Sequence, residues 1–168
     1  MELLVIRHGI AEDREEFAAS GRADSERPLT SEGRGKMRRA AAGLRRLVAA
    51  IDVLGSSPYA RAIQTARVVA SSYGLGDIET VDALVPEAAL EALVRWLEPL
   101  QGAGVVAVVG HEPHLSTLVT WLITGRAESR VELKKGGAAL VAFDDRVRAG
   151  DGVLRWLVTA GQLRDLSR

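Results

Sequence analysis

No cysteine occurs among the 168 residues. Disulfide bonds, thiolate nucleophiles and cysteine-ligated zinc are therefore excluded, and the composition suits a reducing compartment, so a cytoplasmic location is expected. An excess of charge of either sign is also missing, with 22 Lys plus Arg against 22 Asp plus Glu. Bulk electrostatics thus favour neither nucleic acid nor an anionic membrane as partner. Apolar runs such as Val105 to Val109 fall far short of a bilayer span. Met1 to Arg7 has no basic leader ahead of a long apolar region and reads as a first strand, not a signal peptide. The sequence has no G-x-x-x-x-G-K-[ST] loop, no H-E-x-x-H helix and no G-x-S-x-G elbow. Gly102-Ala103-Gly104 precedes an apolar run, whereas a dinucleotide fingerprint follows one.

What remains is an ordinary globular composition, 47% apolar and 26% charged, which fits a single domain over residues 1–168 with one sizeable core. Short runs rich in Val, Ile and Leu alternate with longer amphipathic stretches. Strands are predicted at Leu3–Ile6, Val53–Gly55, Ile78–Val81, Val105–Val109, Ala138–Phe143 and Val153–Val158. Helices are predicted at Ser31–Ala50, Tyr59–Tyr73, Ala88–Leu100 and His114–Ile123, the first with Ser31 as its N-cap. The alternation implies a three-layer α/β fold with a central, mostly parallel sheet and helices on both faces. No helix is predicted between the last two strands, so they form an antiparallel edge around the polar turn Asp144–Gly152. The polar stretch Glu12–Arg27 reads as a surface loop or short irregular helix beside the first strand end. No linker, internal repeat or low-complexity tract divides the chain.

In open α/β sheets ligands bind beyond the carboxyl ends of the strands. Three such ends present polar residues: Arg7-His8-Gly9, Ser56-Ser57-Pro58 with Arg61, and Gly110-His111-Glu112. Two histidines and two arginines suit an anion. A neutral imidazole is a competent nucleophile toward phosphorus when its other nitrogen carries the proton and is held by an acceptor. Two guanidinium groups can grip the equatorial oxygens of a phosphoryl group and stabilise the charge that spreads over them during transfer. A protonated second histidine adds a donor. The scheme needs no metal and no cofactor. Taken singly, each residue has a plainer explanation: a solvated or structural histidine, or an arginine in a surface ion pair. His111 and His114 could also be a metal pair, but no third ligand with useful spacing accompanies them. Arg34, Lys36, Arg38, Arg39, Arg45 and Arg46 read as a solvated helix face or a dock for an acidic protein. Lys134-Lys135-Gly136-Gly137 reads as a basic hairpin entry.

Together these segments resemble the histidine phosphatase superfamily. Arg7-His8-Gly9 after an N-terminal strand matches its signature; Arg27-Pro28-Leu29-Thr30 with Gly33, then Ser57-Pro58 with Arg61-Ala62 and Gln64-Thr65, then Gly110-His111 with Pro113 follow in the same order. The short chain and the wording of these blocks are most similar to the SixA-type phosphohistidine phosphatases. The resemblance implies that His8 accepts the phosphoryl group and that Arg7, Arg61 and His111 form the phosphate pocket, with Arg27 near its mouth. Glu87, in Val85-Pro86-Glu87, falls where many relatives place an acid; the alternative is a helix-start glutamate favoured by the dipole. An ester leaving group needs a proton, whereas the labile P–N bond of phosphohistidine does not depend on a strong acid. The expected substrate is a phosphorylated protein of the histidine-containing phosphotransfer type. A small phosphate ester is the second reading, and a non-catalytic phosphate-binding module the third.

Overall fold

The computed structural model describes residues 1–168. Its sheet has six strands: β1 (Glu2–Arg7), β2 (Val53–Ser56), β3 (Glu79–Thr80), β4 (Val105–Gly110), β5 (Ala138–Ala142) and β6 (Val153–Val158). They lie in the order β3-β2-β4-β1-β5-β6. The pairs β2–β3, β2–β4 and β1–β4 are parallel, and β1–β5 and β5–β6 are antiparallel. The expected α/β fold with an antiparallel edge is therefore present.

β1 is apolar at four consecutive positions because it is covered on both faces, as a central strand must be. Its side chains alternate between two cores. Leu4 and Ile6 join Ala107 and Val109 of β4 on one face, packed by Met37, Ala41, Leu44, Ala66, Val69 and Leu163. Leu3 and Val5 join Val106 and Val108 on the other, packed by Leu93, Leu97, Leu115, Leu118 and Leu122. The first face thus carries α2 (Ser31–Leu47), α3 (Ala60–Tyr73) and α6 (Ala160–Leu166). The second carries α4 (Leu90–Leu97) and α5 (His114–Thr124). A short α1 (Arg14–Ala18), capped by Asp13, lies in the segment after β1.

The differences from the sequence reading are at ends and in short pieces. α2 stops at Leu47, because Val48 turns extended; its N-cap is Thr30, whose hydroxyl accepts from the Gly33 amide, with Ser31 the first helical residue. α4 starts at Leu90, and Glu98–Leu100 continue as a 3-10 turn. β3 is two residues long, shorter than the four expected. α6 was not expected. It is seven residues long, started by a capping box between Thr159 and Gln162, and buries only Leu163 fully, too little apolar pattern to stand out.

Candidate active site

Strand order and register bring the three predicted strand ends together. β2, β4 and β1 are adjacent and parallel. Arg7 pairs with Gly110 and Ser56 with Val109, so the chains leave the sheet level with one another. The ladder extends one residue further on each side: the His8 amide donates to the Gly110 carbonyl at 3.0 Å, and the Ser57 amide to the Val109 carbonyl at 2.9 Å. His8, Ser57 and His111 therefore emerge side by side. The ring centroids of His8 and His111 are 5.1 Å apart, and both side chains are buried.

The His8 ring is fixed by its own loop. Nδ1 lies 2.7 Å from the Gly9 carbonyl oxygen. A carbonyl only accepts, so Nδ1 carries the proton and the lone pair is on Nε2. The Gly9 amide donates to Thr65 Oγ1 at 3.0 Å, and the Thr65 hydroxyl donates to the Arg61 carbonyl at 2.7 Å. Thr65 thus couples the His8 loop to the first turn of α3, where Arg61 sits. Burial, reinforced by Arg61, Arg7 and Arg27, lowers the His8 pKa to about 3. Burial, with His8 and Arg61, lowers that of His111 to about 2. Without a bound anion, both imidazoles are neutral at physiological pH.

A cleft of about 840 Å³ opens over these groups, lined almost entirely by polar residues. It contains Arg7, His8, Arg27, Arg61, Glu87 and His111, so all six sequence-derived candidates share one depression. Arg7 is held by Nη1 donating to the Leu133 carbonyl at 2.7 Å. His111 Nε2 lies 2.8 Å from Ser57 Oγ, and its ring packs on Tyr59 at 4.9 Å. The Arg61 guanidinium also lies over the Tyr59 ring, 5.0 Å from its centroid. The Nε atoms of Arg7 and Arg61 and Nδ1 of His111 are buried and have no hydrogen-bond partner. Three unsatisfied polar atoms in one place are costly. Glu87 is exposed at the rim. His114 is not in the cleft lining; it is buried at the start of α5.

Asp24 is the residue that the sequence reading missed. Its carboxylate accepts from Arg61 Nη2 at 3.0 Å and from Arg27 Nε at 2.8 Å, and its carbonyl accepts from Arg61 Nη1 at 2.8 Å. Arg27 Nη1 also donates to the Glu12 carbonyl at 2.7 Å. The two arginines are thereby oriented by the polar segment between β1 and α2. Burial opposes ionisation of Asp24, but the Arg27 hydrogen bond and the charges of Arg61, Arg27 and Arg14 outweigh it and lower the pKa. Asp24 sits in a stretch without apolar periodicity, and its only signal is its place three residues before Arg27. Glu112 also lines the cleft; burial raises its pKa, although the Ser116 amide donates to it at 2.9 Å. Lys134-Lys135-Gly136-Gly137 does more than enter a hairpin. The Gly136 amide donates to the carbonyls of Arg7 and His8 at 3.1 and 3.0 Å, Gly137 accepts from the Arg7 amide at 3.0 Å, and Lys135 lines the cleft.

An imidazole with one ring nitrogen free, beside clustered arginines at the strand ends of this sheet, has the chemistry that phosphoryl transfer requires. The sequence profile of the histidine phosphatase superfamily, branch 1, matches residues 3–86, and the chain belongs to that superfamily, whose members are phosphatases that work through a histidine. An uncharacterised protein of Picosynechococcus sp. is 33% identical over 139 residues, 82% of each chain. Phosphohistidine phosphatase SixA of Escherichia coli is 29% identical over 167 residues, 98% of this chain and 97% of that protein. A solved structure of protein histidine phosphatase SixA with tungstate superposes with a TM-score of 0.82 at 28% identity, covering 97% of this chain and 99% of that one. The alpha-ribazole phosphatase of Shigella flexneri shares the fold, with a TM-score of 0.74 at 19% identity over 95% and 97% of the two chains.

Proposed function

We propose that the chain acts as one domain that dephosphorylates protein phosphohistidine through a phosphorylated His8. The observation that carries the reading is the His8 ring itself: Nδ1–H is tied to the Gly9 carbonyl, which leaves Nε2 as the free nucleophile beside Arg7, Arg61 and His111. Nε2 attacks phosphorus, and the bond from phosphorus to the substrate's imidazole nitrogen breaks. The departing imidazole takes up a proton. Water then attacks phospho-His8, releasing inorganic phosphate and restoring the free ring. Arg7 and Arg61 hold the equatorial oxygens throughout, and Arg27 holds the outer edge of the group. The unpartnered Nε–H groups of Arg7 and Arg61 are donors that an incoming anion can satisfy, and Nδ1 of His111 becomes one when that ring is protonated. A dianion there also opposes the causes that keep His111 neutral, so phosphate binding draws a proton onto it.

The phosphohistidine assignment is supported by the similarity to SixA along almost the whole chain and by the chemistry of a site whose acid is exposed at the rim. A small phosphate ester is the second reading. It would rely on proton donation from Glu87, or from Glu112, whose raised pKa favours the protonated form. The test is rapid-quench labelling with a phosphorylated histidine-containing phosphotransfer domain. Wild type is expected to form a transient acid-labile phosphoenzyme, and His8→Ala to form none and to lose turnover of that domain and of p-nitrophenyl phosphate alike. Turnover retained in His8→Ala overturns the mechanism. A preference in kcat/KM for one sugar phosphate over the phosphoprotein overturns the substrate assignment while leaving His8 in place. Turnover without any trapped phosphoenzyme in wild type favours direct hydrolysis, and phosphate binding without turnover a non-catalytic module.

A further inference from the structure

Tyr59 lines the cleft over His8 on one side. Tyr59 also borders a second depression, which runs past Pro58 and Ile63 to Gln64 and Arg67. Gln64 and Arg67 in turn border a third, of about 470 Å³, between α2 and α3. The three depressions follow one another along α3, each sharing lining residues with the next, and form a broken trough leading away from the phosphate site.

The far end of this trough is strongly basic. Arg34 and Arg38 project from α2 one helical turn apart, Arg67 faces them from α3, and Ser71 and Ser72 complete the wall. No carboxylate lines this part, and none of the three arginines has an acidic partner within 4 Å. Arg34 donates to Gln64 Oε1 at 3.0 Å; Arg38 and Arg67 are exposed. Like charges one turn apart on a helix destabilise it, and a third across the seam adds to this. The chain as a whole carries as many acids as bases, so the segregation is local, and Arg38 and Arg67 have no ion-pair partner in the fold.

We propose that this end of the trough docks an acidic face of the phosphoprotein substrate, beside its phosphohistidine. The inference rests on the phosphohistidine reading and adds a second point of recognition to it. Exposed guanidinium groups pair with carboxylates in bidentate geometry, and clustered charge at a rim raises the rate of encounter with a complementary partner. A small ester filling only the cleft over His8 would not reach Arg38 or Arg67.

The test uses the full chain and the double variant Arg38→Gln/Arg67→Gln. The probe is a histidine-containing phosphotransfer domain with acidic residues beside its histidine, phosphorylated with phosphoramidate, and p-nitrophenyl phosphate is the small control. At low ionic strength the variant is expected to lose roughly tenfold in kcat/KM on the phosphoprotein, through KM, with a flattened salt dependence, and to hydrolyse the ester like wild type. Unchanged phosphoprotein kinetics overturn the docking role alone. An equal loss on the ester overturns it in favour of a structural role. Saturable binding of a short RNA that the variant loses, with phosphoprotein kinetics unaffected, reassigns the trough. Failure of wild type to dephosphorylate the domain while hydrolysing the ester overturns the substrate reading and the docking role with it.

Discussion

Asp24 holds Arg61 and Arg27, the two arginines of the proposed phosphate pocket, and this gives it two consequences at the scale of single residues. It orients both guanidinium groups, and under the proposed function it would compete with phosphate for them. Removing it by Asp24→Ala leaves the Arg61 guanidinium, 3% exposed, without its counter-charge. The loss is about 1.5–3 kcal/mol of stability, the usual range for a hydrogen bond to a charged group. Inorganic phosphate is expected to raise the melting temperature of the variant more than that of wild type, because the anion replaces the missing carboxylate. Equal rises in the two proteins, measured by thermal denaturation with and without phosphate, would show that Asp24 and phosphate do not share the arginines. Glu87 allows a second prediction. Glu87→Gln is expected to lower kcat on an alkyl phosphate such as glycerol phosphate while leaving kcat on the phosphohistidine domain nearly unchanged, since a strongly basic alkoxide leaving group depends on a positioned donor far more than the labile P–N bond does. Parallel losses on both substrates would remove the leaving-group argument.

Among the elements, the turn before β5 and the α2–α6 contact separate site placement from stability. Gly136 has φ +73° and its amide supports the carbonyls of Arg7 and His8. A side chain there is held in the left-handed region at a cost of about 1–2 kcal/mol, and its Cβ would meet Ala160 at 3.2 Å. Gly136→Ala should therefore lose both stability and kcat. Gly43 allows α2 to lie directly on α6; a Cβ there would fall 1.7 Å from the Leu163 carbonyl oxygen. Gly43→Ala forces the helices apart, costing about 1–3 kcal/mol, on the side of the sheet away from α5 and without touching the cleft. Urea denaturation should detect both losses, and kcat at a temperature where both variants are folded should fall only for Gly136→Ala.

For the whole molecule, the buried histidines set the response to acid. His8 and His111 have folded pKa values of about 3 and about 2, below the ordinary value of 6.5, and burial lowers that of His114 as well. Below pH 6.5 the unfolded chain binds protons that the folded chain refuses, so stability falls as pH drops from 6.5 toward 3. His111→Gln, which cannot titrate, is expected to make the melting temperature less steep over this window. A slope as steep as that of wild type would mean that His111 does not resist protonation. Bound phosphate should also reduce the slope, because an anion raises the histidine pKa values toward their unfolded values. The same values predict no loss of kcat/KM near pH 6.5 from protonation of free His8.

The long strands and helices were legible because burial on both sheet faces imposes continuous apolar runs on β1 and β4, and a one-sided core imposes helical periodicity on α2 and α3. His8, Arg61 and His111 were legible for a related reason: each follows an apolar strand at a short, fixed offset, and such strand ends are where ligands bind. α6 and the Asp24 turn were not, since short pieces with one or two buried residues carry no period. Nor could the sequence place Gly136 behind His8, or join Arg34 and Arg38 to Arg67, because these contacts cross elements far apart in the chain. The residues by themselves determined the sheet, the helices and the set of groups that could handle phosphate. Tertiary structure alone decided which ring nitrogen of His8 is free, which carboxylate holds the arginines, and how far the trough extends. Those depend on strand order, on register and on hydrogen bonds between distant segments.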